Sequence, residues 1–305
     1  MAKQDYIFRH LTIIKKLKSS GESTFEEINA FLKKESAYQD RPVSITVRTF
    51  ERDRNEILSL YNIDIQYDFA RRVYFIANDQ QSDLNDRMLE SIDMINSLKM
   101  VSDLTQYMIF EKRKAMGTHH FHGLLHAIKN RIVISLRHQK YAQDEPGSRL
   151  AEPLALKESK GRWYLLARDT ADRRLKTFGL DRILDFEITA RRFDYPAGLN
   201  VNEIFRDCFG VINPDDSAPA NIVLSFRREQ GKYIKSYPLH ESQTILEDNE
   251  KELRIRLHLH ITHDLIMEIL SYGEMVLVLQ PKKLRTKISS IYSAAMERYL
   301  RENAQ

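Results

Sequence analysis

The sequence predicts a multidomain α+β protein. A chain of 305 residues with 42% apolar residues, 10 Gly and 8 Pro exceeds what one hydrophobic core ordinarily holds. Helical periodicity gives way to a strand hairpin within residues 1–80, and short alternating strands recur in two later blocks. The expected order is a winged helix-turn-helix over 1–80, a helical linker over 81–116, a β-rich domain over 117–195, a linker over 196–217 and a small α+β domain over 218–305.

Tyr6, Ile7, Leu11, Ile14 and Leu17 recur at helical spacing and stop at Ser19-Ser20-Gly21. Thr24 stands three residues before Glu27, the spacing of a capping box, ahead of a short helix carrying Ile28, Phe31 and Leu32. Arg41-Pro42 disfavours helix, so a third helix is expected from Ile45 to Leu58 with Ser44 as its cap. On a helical wheel Val47, Phe50, Ile57, Leu58 and Tyr61 are expected to face a core, leaving Ile45, Arg48, Thr49, Arg52 and Glu56 open. Ile63, Ile65 and Tyr67 then alternate, Asp68 to Arg72 turn, and Val73 to Ile76 return as a wing.

Such an open face offers arginine to base edges and phosphates of a major groove, and a wing tip offers more cation to the backbone. The candidate DNA-binding residues are therefore Ser44, Thr46, Arg48, Thr49 and Arg52 on the helix and Arg71 and Arg72 on the wing. An ordinary amphipathic helix followed by a hairpin is the plain alternative.

Leu84, Met88, Leu89, Ile92, Ile95, Leu98, Leu104, Met108 and Ile109 form an apolar stripe in the linker. A homodimer would cover it and would suit a reader of repeated half-sites. In the next block Leu124, Leu125 and Ile128 mark a helix, and Ile132–Leu136, Ala151–Leu156, Arg162–Ala167, Leu175–Phe178 and Phe186–Ile188 read as short strands. Alternation puts Trp163 and Leu165 on one side and Tyr164 and Leu166 on the other, and only one set is expected to fill a core. In the last block Ile222–Phe226, Leu253–Ile261 and Met275–Leu279 read as strands, and Leu265–Leu270 and Ile288–Tyr299 as helices. Arg254, Arg256, His258 and His260 share one strand face, which a solvated ridge explains.

The triplet Trp163-Tyr164-Leu165, the downstream Phe178 with Asp181-Arg182-Ile183, and Arg48-Thr49-Phe50 with Arg52-Asp53 in the third helix together resemble bacterial WYL-domain transcriptional regulators. The resemblance runs over nearly the whole chain. It implies that the middle domain is a small Sm-like (SH3-like) β-barrel, that the last block is the C-terminal extension of that family, and that the middle domain senses a nucleotide or nucleic-acid-like anion. Carried over, the pocket residues are Tyr164, Arg168, Phe178 and Arg182. Aromatic rings stack on bases and guanidinium forks match phosphate. Trp163, Leu165 and Phe178 as core, and Arg182 paired with Asp181 or Asp185, remain the alternatives. Family members often carry a tyrosine at the end of the first barrel strand, where this chain has Leu136-Arg137-His138.

Charge and motif content narrow the function classes. Residues 1–80 hold thirteen Lys/Arg against twelve Asp/Glu, whereas 117–195 hold fifteen against ten, a surplus larger than the net +4 of the chain. That surplus favours anionic partners. Cys208 is the single cysteine, so no internal disulfide is expected. No long apolar span and no apolar leader core are present, so a cytoplasmic protein without membrane contact is expected. The sequence lacks a Gly-rich phosphate loop, a nucleophile elbow and paired catalytic carboxylates, so no enzyme and no cofactor are expected. The expected partners are double-stranded DNA, a nucleotide or single-stranded nucleic-acid ligand, and a second copy. A non-sequence-specific single-strand binder is one alternative. A metal-responsive regulator using His119, His120, His122 and His126, or His258, His260 and His263, is another, although spacing fixes no complete ligand set.

Overall fold

A computed structural model of the chain describes residues 2–37, 43–79, 116–140, 145–212 and 217–302, together with 87, 90, 91 and 94. Two units divide it, Met1–Glu111 and Lys112–Gln305. The apolar positions of the linker, Leu84 to Ile109, lie outside the described residues.

The first unit runs α1 (Ala2–Ser20), β1 (Glu22–Ser23), α2 (Phe25–Ala37), α3 (Val47–Tyr61), β2 (Ile63–Asp68) and β3 (Val73–Asp79), with strand order β1-β3-β2. The capping box closes in both directions: Thr24 N donates to Glu27 Oε2 at 3.0 Å and Glu27 N to Thr24 Oγ1 at 3.2 Å. Ile13, Ile14, Leu17, Ile28, Leu32, Phe50, Ile57 and Ile63 form the core. Phe50 is its centre, edge-on to Phe25 and Tyr74 with ring centroids 5.7 and 4.7 Å away.

Helix α3 departs from its expected register. Its cap is Thr46, whose side chain accepts from Thr49 N, and not Ser44. Ser44 instead meets the Asn29 side chain, while Asn29 Oδ1 accepts from Ile45 N at 2.9 Å. Asn29 thus holds residues 43–46 extended, Ile45 drops into the core rather than facing outward, and the helix starts two residues late. Val47 and Leu58, expected in the core, are 52% and 45% exposed. The buried stripe is Phe50, Asp53, Ile57 and Tyr61. An aspartate occupies the slot between Phe50 and Ile57 because Arg9 of α1 reaches it twice, Nε to Oδ2 at 2.7 Å and Nη2 to Oδ1 at 2.9 Å. Such a fork–carboxylate pair is what a buried charge needs.

The second unit opens with a 3-10 turn (Thr118–His120) and α4 (Phe121–Asn130), then β4 (Ile132–His138), β5 (Gly147–Ser159), β6 (Arg162–Asp169), β7 (Leu175–Gly179) and β8 (Ile183–Arg192). The strands pair in the order β7-β6-β5-β4-β8, all antiparallel. A register shift at Pro153–Ala155 breaks the long β5, a site where a strand can bend. Among the described residues no ladder joins β7 to β8. Leu124, Ala127, Ile134, Leu136, Leu165, Ala167 and Phe178 fill one side of the sheet.

The other side is also covered, which corrects the expectation of a single core face. Val133, Leu154 and Leu166 pack with Phe193, Phe205 and Cys208, because the chain after β8 folds back and forms α5 (Val201–Arg206). Tyr195, Leu199, Val201 and Ile204 complete this layer. A strand buried on both faces reads as a continuous apolar run, as Trp163 to Ala167 does.

The last part runs β9 (Ala220–Arg227), α6 (Arg228–Ser236), β10 (Thr244–Asp248), β11 (Glu252–Leu259), α7 (His263–Ser271), β12 (Val276–Gln280) and α8 (Lys282–Glu302). Its order β10-β11-β9-β12 with βαββαβ connectivity is ferredoxin-like. Sequence periodicity had given no signal for α6 and β10. In β11, Leu253, Ile255, Leu257 and Leu259 are buried while Arg254, Arg256, His258 and His260 alternate outward. Asp264 of α7 accepts from Val211 N at 3.0 Å, tying this part to the layer before it. Among the described residues no helix is long and apolar enough to cross a membrane.

Candidate nucleic-acid interface and sensing pocket

The expected reading face of α3 is present as a surface. Arg48 is exposed and, among the described residues, makes no ion pair or side-chain hydrogen bond. Thr49 sits one residue on, its hydroxyl 3.1 Å from that of Thr46. Arg52 is 62% exposed at its side chain and touches its neighbours only loosely, 3.5 Å from Asp53 Oδ1 and 3.8 Å from Glu56 Oε1. Ser44 and Thr46 lie exposed before the first turn. The helix therefore presents Thr46, Arg48, Thr49 and Arg52 together, with Ser44 on the extended approach.

The two wing arginines differ. At the tip, Asp68 Oδ1 accepts from Ala70 N at 2.8 Å and Arg71 N at 3.1 Å, which forms the turn. Asp68 Oδ2 also accepts from Arg71 Nε at 2.7 Å, and the same arginine reaches Glu22 of β1. Arg71 is thus tethered across the sheet. Arg72, in the left-handed region at φ 57°, stands exposed with no such partner among the described residues. Beside it Phe69 is 85% exposed, an aromatic that sequence reasoning passed over.

The four pocket candidates separate into two pairs. Phe178 is a core residue, its ring 5.2 Å from that of His138. Arg168 lies against the buried Glu152 and donates to Asp194 O at 3.3 Å. Glu152 also takes Arg173 at 2.9 Å, and the neighbouring buried Asp169 takes Arg149 and Lys176, each at 2.7 Å. The Lys176 ammonium, opposed by burial and aided by Ala171 N and Arg149, holds the Asp169 pKa at about 2. Four cations of the basic surplus are therefore engaged by two buried acids.

Tyr164 and Arg182 do come together. Tyr164 pairs across the ladder with Gly179, and the Arg182 guanidinium lies over that glycine: a Cβ there would be 3.0 Å from Arg182 Nε and 2.5 Å from Asp181 Oδ1. Burial raises the Tyr164 phenol, with smaller effects from Arg162, Asp181, Asp264 and Arg182 around it. Asp181 stands 3.5 Å from Arg162 and 4.0 Å from Arg182. Behind them His138 is buried, and its Nε2 has no hydrogen-bond partner. Burial, then the charges of Arg182, Arg149 and Lys140, bring its pKa down to about 4, so it is neutral at pH 7. His138 stands at the strand end where sequence reasoning noted a departure, but its burial depends on a fold that spacing alone does not reveal. His122 and His126, the metal alternative, are exposed on α4 and join no three-ligand cluster among the described residues.

Comparison with known proteins bears on the second unit. Residues 119–188 match the WYL domain and residues 218–296 the WCX domain. A search of curated proteins finds no match. Among solved structures, proteasome accessory factor B/C (PafBC) of Arthrobacter aurescens is 22% identical over 62% of this chain and 28% of its own, with a TM-score of 0.28. A CRISPR Cas-related protein is 11% identical over 97% of this chain and 86% of its own, with a TM-score of 0.40. The chain thus spans little more than a quarter of the PafBC chain, and neither score supports a shared overall arrangement. The two domain matches cover α4 with the five-stranded sheet and the ferredoxin-like block, so the chain carries a WYL domain followed by a WCX domain.

Proposed function

We propose that the protein is a DNA-binding transcriptional regulator whose first unit reads duplex DNA and whose WYL domain senses a nucleotide or nucleic-acid-like anion. One observation carries the reading. After two helices and before a strand hairpin, α3 holds Arg48, Thr49 and Arg52 on a solvent face while its opposite face fills the core. A helix in that position of a winged helix-turn-helix enters the major groove with its first turns. Ser44, Thr46 and Arg72 flank that contact; Arg71 positions the wing through Asp68 and Glu22.

For the sensing pocket the support narrows to Tyr164 and Arg182, with Arg162 joining them across Asp181. A ring beside two guanidiniums suits a base and a phosphate. Arg168 and Phe178 shape the domain from within. We read the five-stranded sheet as an open Sm-like barrel, and the apolar linker as the seam of a homodimer that light scattering would detect. The direct test is footprinting of DNA upstream of the protein's own gene. Protected half-sites lost with Arg48→Ala and kept with Arg182→Ala support the reading; binding that ignores duplex and depends only on the WYL domain sinks it.

A further inference from the structure

Under the outward face of α3 lies a cluster that the reading of DNA does not use. His10 of α1 is fully buried, and among the described residues neither of its ring nitrogens makes a well-aligned hydrogen bond. Its Nε2 stands 3.3 Å from Glu56 Oε2 and 3.7 Å from Asp53 Oδ1. One donor atom from each of His10, Asp53 and Glu56 falls within 4.8 Å of the others. This buried imidazole has two carboxylates in ion-pair range but no well-aligned hydrogen bond to either.

We propose that His10, Asp53 and Glu56 bind a divalent first-row transition metal, of which zinc is the reference case. Ligands at about 2.0–2.1 Å around a tetrahedral ion are separated by roughly 3.3–3.4 Å. The observed 3.3 and 3.7 Å need only small side-chain rotations to meet that spacing. One imidazole with two carboxylates is a donor set for such ions, leaving a position for water. The cations already present do not block it. Arg9 takes both Asp53 oxygens, Oδ2 through Nε at 2.7 Å and Oδ1 through Nη2 at 2.9 Å, so an ion would use the second lone pair of Oδ1 with Arg9 kept as outer-shell support. Arg52 touches both carboxylates only at 3.5 and 3.8 Å, so an ion would displace it toward solvent. Glu56, 42% exposed at its side chain, gives the ion a route in.

The site links α1 to α3 and shares Arg52 with the proposed DNA face. Its existence does not depend on that face reading DNA, and the test is made without DNA. Untagged full-length protein is dialysed against zinc and analysed for bound metal, and titrated with cobalt(II) while its visible absorption is followed. One ion per chain is expected, with affinity at least tenfold lower in both His10→Asn and Glu56→Gln. Glu56→Gln alters a half-exposed side chain, so it keeps the measurement interpretable if His10→Asn fails to fold. Absence of stoichiometric metal overturns the proposal and leaves His10 closing an ion-pair network. Uptake indifferent to Glu56→Gln also overturns it, since that assigns the metal to surface histidines such as His122 and His126.

Discussion

Arg48 on α3 and Arg168 on β6 are both arginines in strongly patterned elements, yet their surroundings are opposite. Arg48 is exposed on its helix and, among the described residues, makes no ion pair. Arg168 is 16% exposed at its side chain and lies on Glu152, which is 4% exposed. A count of charges ranks the WYL domain as the more cationic region. Pairing qualifies that ranking, since Arg149, Arg168, Arg173 and Lys176 are all held by two buried acids. Buried pairs fix structure, and unpaired exposed cations remain free to meet phosphate. Net charge therefore does not by itself say which cations are available to a partner.

The sharpest way to break this contrast is acid. His138 is held near 4, whereas an unfolded histidine titrates near 6.5. Between those values the unfolded chain binds the extra proton, so stability is complete above about pH 6.5 and falls by about 3 kcal/mol as pH drops to about 4. Asp169, held at about 2, then adds a smaller loss between roughly pH 4 and 2. Trp163 is the single tryptophan and sits beside Phe121 with ring centroids 4.8 Å apart, so its fluorescence follows the second unit. Urea midpoints read by Trp163 should fall through both intervals, and His138→Phe should flatten only the upper one. A midpoint constant from pH 7 to 4.5 would show that His138 is not buried neutral.

The next effect separates structural from exposed arginines. Arg168→Ala leaves Glu152 with Arg173 alone and should cost about 3 kcal/mol, toward the low end for breaking a buried pair. Arg182→Ala should cost less, at most about 1 kcal/mol, because its contact with Asp181 is a loose one at 4.0 Å. If urea unfolding gives equal losses, Arg168 is no more structural than Arg182.

Much of this was legible in the sequence where two signals agreed. The capping box at Thr24 and Glu27, the alternation of Leu253 to Leu259, and the triplet from Trp163 each combine local chemistry with burial period. What was not legible depends on long-range partners. Ser44 looked like a cap because serine caps helices, but Asn29, fifteen residues earlier, draws it away. Asp53 reads as surface until Arg9 supplies its counter-charge from 44 residues upstream. Phe178 and Arg168 carried the family pattern, yet pattern does not say whether an aromatic or a guanidinium faces a ligand or a core. Only Tyr164 and Arg182 of the four pocket candidates share a surface.

The smaller effects concern the proposed DNA face. Arg48→Ala should weaken binding to a footprinted duplex by about 1–3 kcal/mol, measured by fluorescence anisotropy, while leaving the thermal midpoint unchanged. An equal loss on unrelated duplex would make Arg48 a backbone contact and not a base reader. At the wing, Arg72→Ala should lower the slope of log affinity against log salt by about 1, the signature of one phosphate contact. Arg71→Ala should change the slope less, because Asp68 and Glu22 already neutralise that guanidinium. These pairs are exposed, so their own strength is at most about 1 kcal/mol. The difference between the two arginines must therefore appear in the salt slope more than in the affinity at any single salt concentration. Equal slopes for the two variants would mean that Arg71 leaves its acids when DNA arrives, and that a tethered cation on this wing is as available as a free one.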